Sequence, residues 1–225
     1  MDARTNAATE AILRAGRRLG SRGLISAGEG NISVRLDADR LLITPTGLRK
    51  DELDPGDLVV IWLGHPDREA QSPTGCRATS DLAIHLAVHA ARPDIGAMVH
   101  AHLPAAMALT LAGEIPDPSA LPETALLLPR LPFLSLETPG SDRLAQRVAG
   151  ALTDPPEPLA NGVLLERHGA CAVGADAGQA VDRLELVEVL CRTWRDAISI
   201  RAARAALGMV DASRPSPGPR IEEGR

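Results

Sequence analysis

Tyrosine does not occur in this chain of 225 residues, phenylalanine occurs once and tryptophan twice. No phenolic hydroxyl of its own can therefore serve as an acid or base. Cysteine is scarce as well. Cys76, Cys171 and Cys191 are odd in number and far apart, a pattern of neither a disulfide framework nor a zinc knuckle, and one that fits a reducing cytoplasmic setting. Positive charge is in short supply: 24 Lys and Arg stand against 29 Asp and Glu, a formal net charge of −5. That balance leaves no electrostatic footprint for nucleic acid or an anionic membrane. No apolar run approaches membrane-spanning length, and the opening "MDARTNAATEAILRAGRRLG" lacks the basic-then-apolar order of a secretory signal. What is present, 44% hydrophobic and 24% charged residues, is ordinary for a globular protein, and the length suits one domain with a sizeable core.

Periodicity divides the chain into short elements. Ile12, Leu13 and Leu19 at helical spacing predict a helix over about residues 5 to 20, ended by Gly20. "GEGNISVRLD" alternates, with Ile32, Val34 and Leu36 on one face, and predicts a strand. "RLLITPTG" and "DLVVIWLG" predict two more strands around a turn-rich "LRKDELDPG". "TSDLAIHLAVHAARPD" predicts a helix capped at Thr79 or Ser80 and stopped by Pro93. "IGAMVHAH" follows as a strand, "PAAMALTLAG" as a short helix, "LPFLSLETPG" as a strand and "SDRLAQRVAGAL" as a capped helix. "NGVLLERHGACAVG" predicts two strands around a His-Gly turn, and a last long helix opens near Asp176. Residues 209–225, rich in Pro, Ser, Gly and charge, read as a disordered tail on a domain of residues 1–208. The elements lack the regular βαβ rhythm of a doubly wound fold, so a layered α/β domain with an at least partly antiparallel sheet is expected.

His100 and His102 share one face of their strand, because strand side chains repeat with period two. Both could reach one divalent ion, a third ligand coming from elsewhere; the same pair could also face water at a strand end. His85 and His89, at i and i+4 of the predicted helix, lack the Glu of the HExxH pattern and read as partly buried, hydrogen-bonded histidines. His168, in the turn of "LLERHGACAVG", is a candidate third ligand, and His65, in a polar loop, competes less well. "GEGN", "TPTG" and "ATS" offer backbone N–H groups and polar side chains to an anion, with Thr79 and Ser80 at a helix N-terminus where phosphate is favoured. None matches a Walker loop or a dinucleotide fingerprint.

Taken together, "GNISVR", "ITPTG", "TSDLAIHLAVHAARPDIGAMVHAH" and "RHGACAVG", in that order, resemble the class II aldolase/adducin family, of the L-fuculose-phosphate aldolase type, over roughly residues 8 to 200. The resemblance implies a single three-layer α/β/α domain with a central, mainly antiparallel sheet, and a homotetramer with sites near subunit interfaces. It implies Zn2+, or another divalent metal, on His100, His102 and His168, with the substrate phosphate cradled by Gly30, Asn31, Thr46, Gly47, Thr79 and Ser80. Asp81 takes the place of the family's catalytic glutamate. The implied activity is cleavage of a phosphorylated ketose to dihydroxyacetone phosphate and an aldehyde; relatives on the same scaffold are epimerases, dehydratases and decarboxylases, and the adducins are non-catalytic scaffolds.

Two departures stand out. Asp81 is one methylene shorter than glutamate, setting its carboxylate back by roughly one C–C bond, about 1.5 Å. The tyrosine that the fuculose enzyme brings from a neighbouring subunit has no counterpart, and Glu123, in "ALPETALLL", falls near the equivalent stretch as a substitute.

Overall fold

The structure, a computed structural model, describes residues 2–64, 70–155 and 157–209. His65 and nearly all of the expected tail lie outside the described residues.

Helix α1 (Ala3–Ser21) opens on Asp2, whose carboxylate accepts the Thr5 N–H, and packs Ile12 and Leu19 inward. Strands β1 (Asn31–Arg35), β2 (Arg40–Ile43) and β3 (Val59–Trp62) follow, then helix α2 (Leu82–Ala91), strand β4 (Ala97–Ala101) and helix α3 (Pro104–Leu111). Helix α4 (Pro122–Leu127), strand β5 (Phe133–Leu134), helix α5 (Asp142–Thr153), strands β6 (Gly162–Leu165) and β7 (Gly169–Gly174) and the long helix α6 (Ala177–Ala206) complete the order. The seven strands form one sheet in the order β3-β2-β1-β4-β7-β6-β5. Every pairing is antiparallel except β5 with β6, so the mainly antiparallel three-layer fold is what the chain adopts.

Alternation in the strands sends successive side chains to the two helical layers. Ala97, Val99 and Ala101 of β4, with Ala170 and Ala172 of β7 and Ile32 of β1, pack on the side of α1, α3 and α6. Met98, Cys171 and Val173 pack on the opposite side with Ile84 and Val88 of α2 and Leu144, Val148 and Leu152 of α5. The sheet is thus covered on both faces.

The structure refines two of the expected elements and adds one. Asp81, not Thr79 or Ser80, stands at the N-cap of α2, and its side chain makes no capping hydrogen bond because it is held elsewhere. The strand expected in "LPFLSLETPG" shrinks to Phe133–Leu134; Leu136 and the TPG turn leave the sheet, and the Leu136 N–H is satisfied by the Glu166 carboxylate instead. Helix α4, begun by Pro122 at its first turn, was not signalled by periodicity, since six residues are too few to show one.

Candidate active site

Histidines 100, 102 and 168 converge. Their ring centroids lie 5.0 Å (His100–His102), 4.8 Å (His100–His168) and 4.9 Å (His102–His168) apart, and one ligand atom from each falls within 4.8 Å of the others. His100 is on β4, and His102 lies just past its end. Strand β7 pairs with β4 so that Ala170 faces Ala101, which brings the preceding turn, with His168, alongside His102. Gly169 permits this approach: at φ +90, a Cβ there would meet the Ala101 carbonyl oxygen at 2.1 Å.

The three rings fit a divalent ion. The His100 Nδ1–H donates to the Ala170 carbonyl at 3.0 Å, which leaves Nε2 as the lone-pair nitrogen. That Nε2 is buried and has no hydrogen-bond partner, a costly state unless something else occupies its lone pair. His102 is oriented the same way, its Nδ1 lying 3.1 Å from Glu29 Oε2. An acceptor behind these two rings fixes the tautomer of each and raises its ligand basicity, as metal-bound histidines require. Burial, reinforced by His168 and His102, pushes the His100 pKa down to about 3, and burial together with His102 lowers that of His168. Both therefore present neutral nitrogens at neutral pH.

Asp81 sits beside the triad. The Asn31 amide donates to its Oδ2 at 2.8 Å, while Oδ1 accepts no hydrogen bond among the described residues and lies near the turn at Gly140. Burial opposes ionisation of Asp81, but His100, the Asn31 hydrogen bond and His168 outweigh it and hold the carboxyl below its ordinary value. It is therefore a carboxylate with one oxygen free.

A polar cleft of about 240 Å³ opens above these groups, lined among others by Gly30, Asn31, Thr46, Thr79, Ser80 and Asp81. The Thr46 N–H bonds to the Arg77 carbonyl and the Thr79 N–H to the Thr44 carbonyl, which ties the "TPTG" and "ATS" stretches together. His102 and His168 line the cleft and His100 lies buried beneath. Gly47 adjoins it with φ +77, but its neighbour Thr46 provides the lining. Glu123 stands exposed in the first turn of α4 and is not among the cleft residues. A larger surface cleft of about 990 Å³ lies alongside; it shares Thr46 and Ser80 but holds none of the three histidines.

Two lining residues escape sequence reasoning. Glu29 is the outer partner of His102. Lys50, in a stretch that reads as a turn, is 2% exposed and donates to the carbonyls of Gly28 (2.7 Å) and Leu48 (2.5 Å). An ammonium has three donors, so one remains for a ligand. No carboxylate pairs with it among the described residues, and burial lowers its pKa. Only a buried cation without a counter-charge would have flagged it, and burial is not written in "LRKDEL".

A three-layer fold carrying three clustered histidines that could hold a metal ion, with a carboxylate lining the same cleft, is the arrangement to set beside known proteins. The sequence profile of the Class II Aldolase and Adducin N-terminal domain matches residues 10–195, and the chain belongs to that family. It is similar to the methylthioribulose-1-phosphate dehydratase of Acidiphilium cryptum, 33% identical over 191 residues covering 80% of this chain and 85% of the relative. It is also similar to the 3-oxo-tetronate 4-phosphate decarboxylase of Cupriavidus necator, 32% identical over 205 residues, 88% of this chain and 89% of the relative. Among solved structures, that of the L-fuculose-1-phosphate aldolase of Thermus thermophilus superposes with a TM-score of 0.69 at 28% identity, covering 96% of this chain and all of that one. Among the described residues no helix is long and apolar enough to cross a membrane.

Proposed function

We propose that this protein is a dehydratase of a phosphorylated ketose, one that removes a proton from the carbon beside the ketone and expels the hydroxyl on the next carbon as water. The observation that carries the reading is Asp81, a carboxylate with one oxygen anchored by Asn31 and the other without a hydrogen bond among the described residues, lining the same cleft as His102 and His168, in a chain that offers no tyrosine. Aldol cleavage to dihydroxyacetone phosphate also needs a group on the aldehyde half, and neither a phenol nor Glu123 lines the cleft. The similarity to a dehydratase at 33% identity supports the same choice.

His100, His102 and His168 are the proposed ligands of Zn2+ or another divalent ion. Such an ion supplies a Lewis acid that draws electron density from the substrate ketone and acidifies the adjacent C–H. Asp81 Oδ1 accepts that proton, a task for which a fixed, ionised carboxylate is suited. The electron pair of the C–H bond forms the new C=C bond as the C–O bond to the departing hydroxyl breaks, and a proton on Asp81 can leave with it as water. Thr46, Thr79 and Ser80 bind the phosphate, the backbone N–H groups at the start of α2 favour its charge, and Lys50 supplies the cation. Anchoring at the phosphate sets the distance from Asp81 to the reacting carbon.

Decarboxylation of a phosphorylated 3-oxo acid is the second reading, favoured by the 32% identity to the Cupriavidus enzyme. The experiment is to incubate the zinc-loaded protein with 5-methylthioribulose 1-phosphate and, separately, with 3-oxo-tetronate 4-phosphate, following products by mass. Loss of water from the first supports dehydration. Carbon dioxide from the second alone establishes decarboxylation, and an aldehyde released from the first establishes aldol cleavage.

A further inference from the structure

The side of β1 that does not face the core of α1 and α6 carries Asn31, Ser33 and Arg35, and it is covered by α2, whose facing residues are Asp81 at the cap, His85 and His89. Two strand residues advance about 6.6 Å and four helix residues about 6.0 Å. The two ladders therefore keep step and interleave. Asp81 Oδ2 lies 2.8 Å from Asn31 Nδ2, Asn31 Oδ1 2.6 Å from His85 Nε2, and His85 Nδ1 2.7 Å from Ser33 Oγ. Ser33 Oγ lies 2.9 Å from His89 Nε2, and His89 Nδ1 3.2 Å from Arg35 Nη2. Asn31, Ser33, His85 and His89 are all buried.

We infer that these residues form a hydrogen-bonded wire of fixed direction that orients the Asp81 carboxylate, with His85, Ser33 and His89 as positioning residues for proton transfer. The direction follows from either end. A guanidinium only donates, so His89 Nδ1 accepts from Arg35 and its hydrogen resides on Nε2, donating to Ser33. The Ser33 hydroxyl then donates to His85 Nδ1, His85 Nε2–H donates to the Asn31 carbonyl oxygen, and the Asn31 NH₂ donates to Asp81. Begun at Asp81, which only accepts, the same sequence of donors results. Every link carries one hydrogen and no link sets two donors or two acceptors against each other. The opposite amide orientation of Asn31 would put its oxygen against the carboxylate.

Neutral rings are required throughout, since a second ring hydrogen on His89 would meet the Arg35 N–H. Burial supplies that neutrality, pushing His85 down to about 4 and His89 well below its ordinary value. The wire commits both heteroatoms of the Asn31 amide and one oxygen of Asp81, so that Oδ1 alone is presented to the cleft. Cooperative polarisation along such a chain strengthens the last bond, the one to Asp81.

This inference rests on Asp81 being the proton acceptor of the proposed reaction, so its test begins where no substrate is needed. Long-range ¹H–¹⁵N correlation spectra of zinc-loaded protein labelled with ¹⁵N-histidine, assigned by the loss of signals in His85→Gln and His89→Gln, are expected to show both rings as neutral Nε2–H tautomers. A Nδ1–H or doubly protonated ring at either position at neutral pH overturns the wire. Ser33→Ala is expected to lower kcat by roughly 10- to 100-fold, the range for a slightly misplaced catalytic group, with KM and zinc content unchanged and activity regained in Ser33→Thr. An unchanged kcat overturns the positioning role. If both tautomers are as expected while the wild-type protein turns over no phosphorylated ketose, the wire stands and the dehydratase reading falls.

Discussion

Gly169 presses its α-carbon against the last carbonyl of β4, that of Ala101, so closely that a Cβ would lie 2.1 Å from the oxygen. The contact fixes how near the His168 turn comes to His102. Gly169→Ala combines that clash with a backbone at φ +90, a conformation costing an L-residue on the order of 3 kcal/mol. The expected outcome is a lower melting temperature together with loss of bound zinc, measured by calorimetry and elemental analysis on one preparation.

His100→Ala tests the metal directly. Purified wild-type protein should carry about one zinc per chain, as three imidazoles and an open position provide, and the variant should carry almost none. Equal metal content in the two would remove the triad from the site.

Asp81→Asn keeps the shape and removes the basic oxygen. Loss of a general base costs roughly 10²- to 10⁴-fold, so kcat should fall by that much with zinc retained. Exchange of the substrate α-hydrogen in D₂O, followed by NMR, should cease in parallel. Asp81→Glu should fall by about 100-fold, because its carboxylate overshoots by one methylene.

Lys50→Met separates anchoring from chemistry. A charge-assisted hydrogen bond to phosphate is worth roughly 1.5–3 kcal/mol, so KM should rise by about 10- to 100-fold with kcat little changed. Inorganic phosphate should also lose its competitive inhibition, and retained inhibition would place the anion elsewhere.

Acid should destabilise the fold through its buried histidines. His85 has a folded pKa of about 4 against an unfolded value near 6.5. The unfolded chain binds more protons in that interval, so stability is full above pH 6.5 and is lost as pH falls toward 4, by up to about 3 kcal/mol; His89 adds in the same direction. Urea melts at pH 7 and pH 5 should show the difference, and His85→Gln should shrink it.

Much of the site was legible because its residues are local in the chain or lie at strand and helix spacing. His100 and His102 come from one run of five strand residues and the step after it, and Thr79, Ser80 and Asp81 from one helix start. The sequence reads His85 and His89 as partly buried and hydrogen-bonded; they are hydrogen-bonded and fully buried, and nothing local indicates what they bond to. Their partner Ser33 is 52 and 56 positions away. The polar face of β1 illustrates the limit. Asn31, Ser33 and Arg35 alternate with Ile32 and Val34 as though one face met solvent, but α2 covers it.

What the sequence determined by itself was most of the elements, α4 excepted, the one-sided alternation of β1 and the chemistry available, including the missing phenol, since these depend on spacing and side-chain type within short windows. The tertiary structure alone decided that His168 meets His100 and His102, that Lys50 is buried with no counter-charge among the described residues and that a polar strand face touches a helix. Those are contacts across tens of residues, set by the order in which strands pair and by which face each helix covers, and neither is encoded in any one stretch.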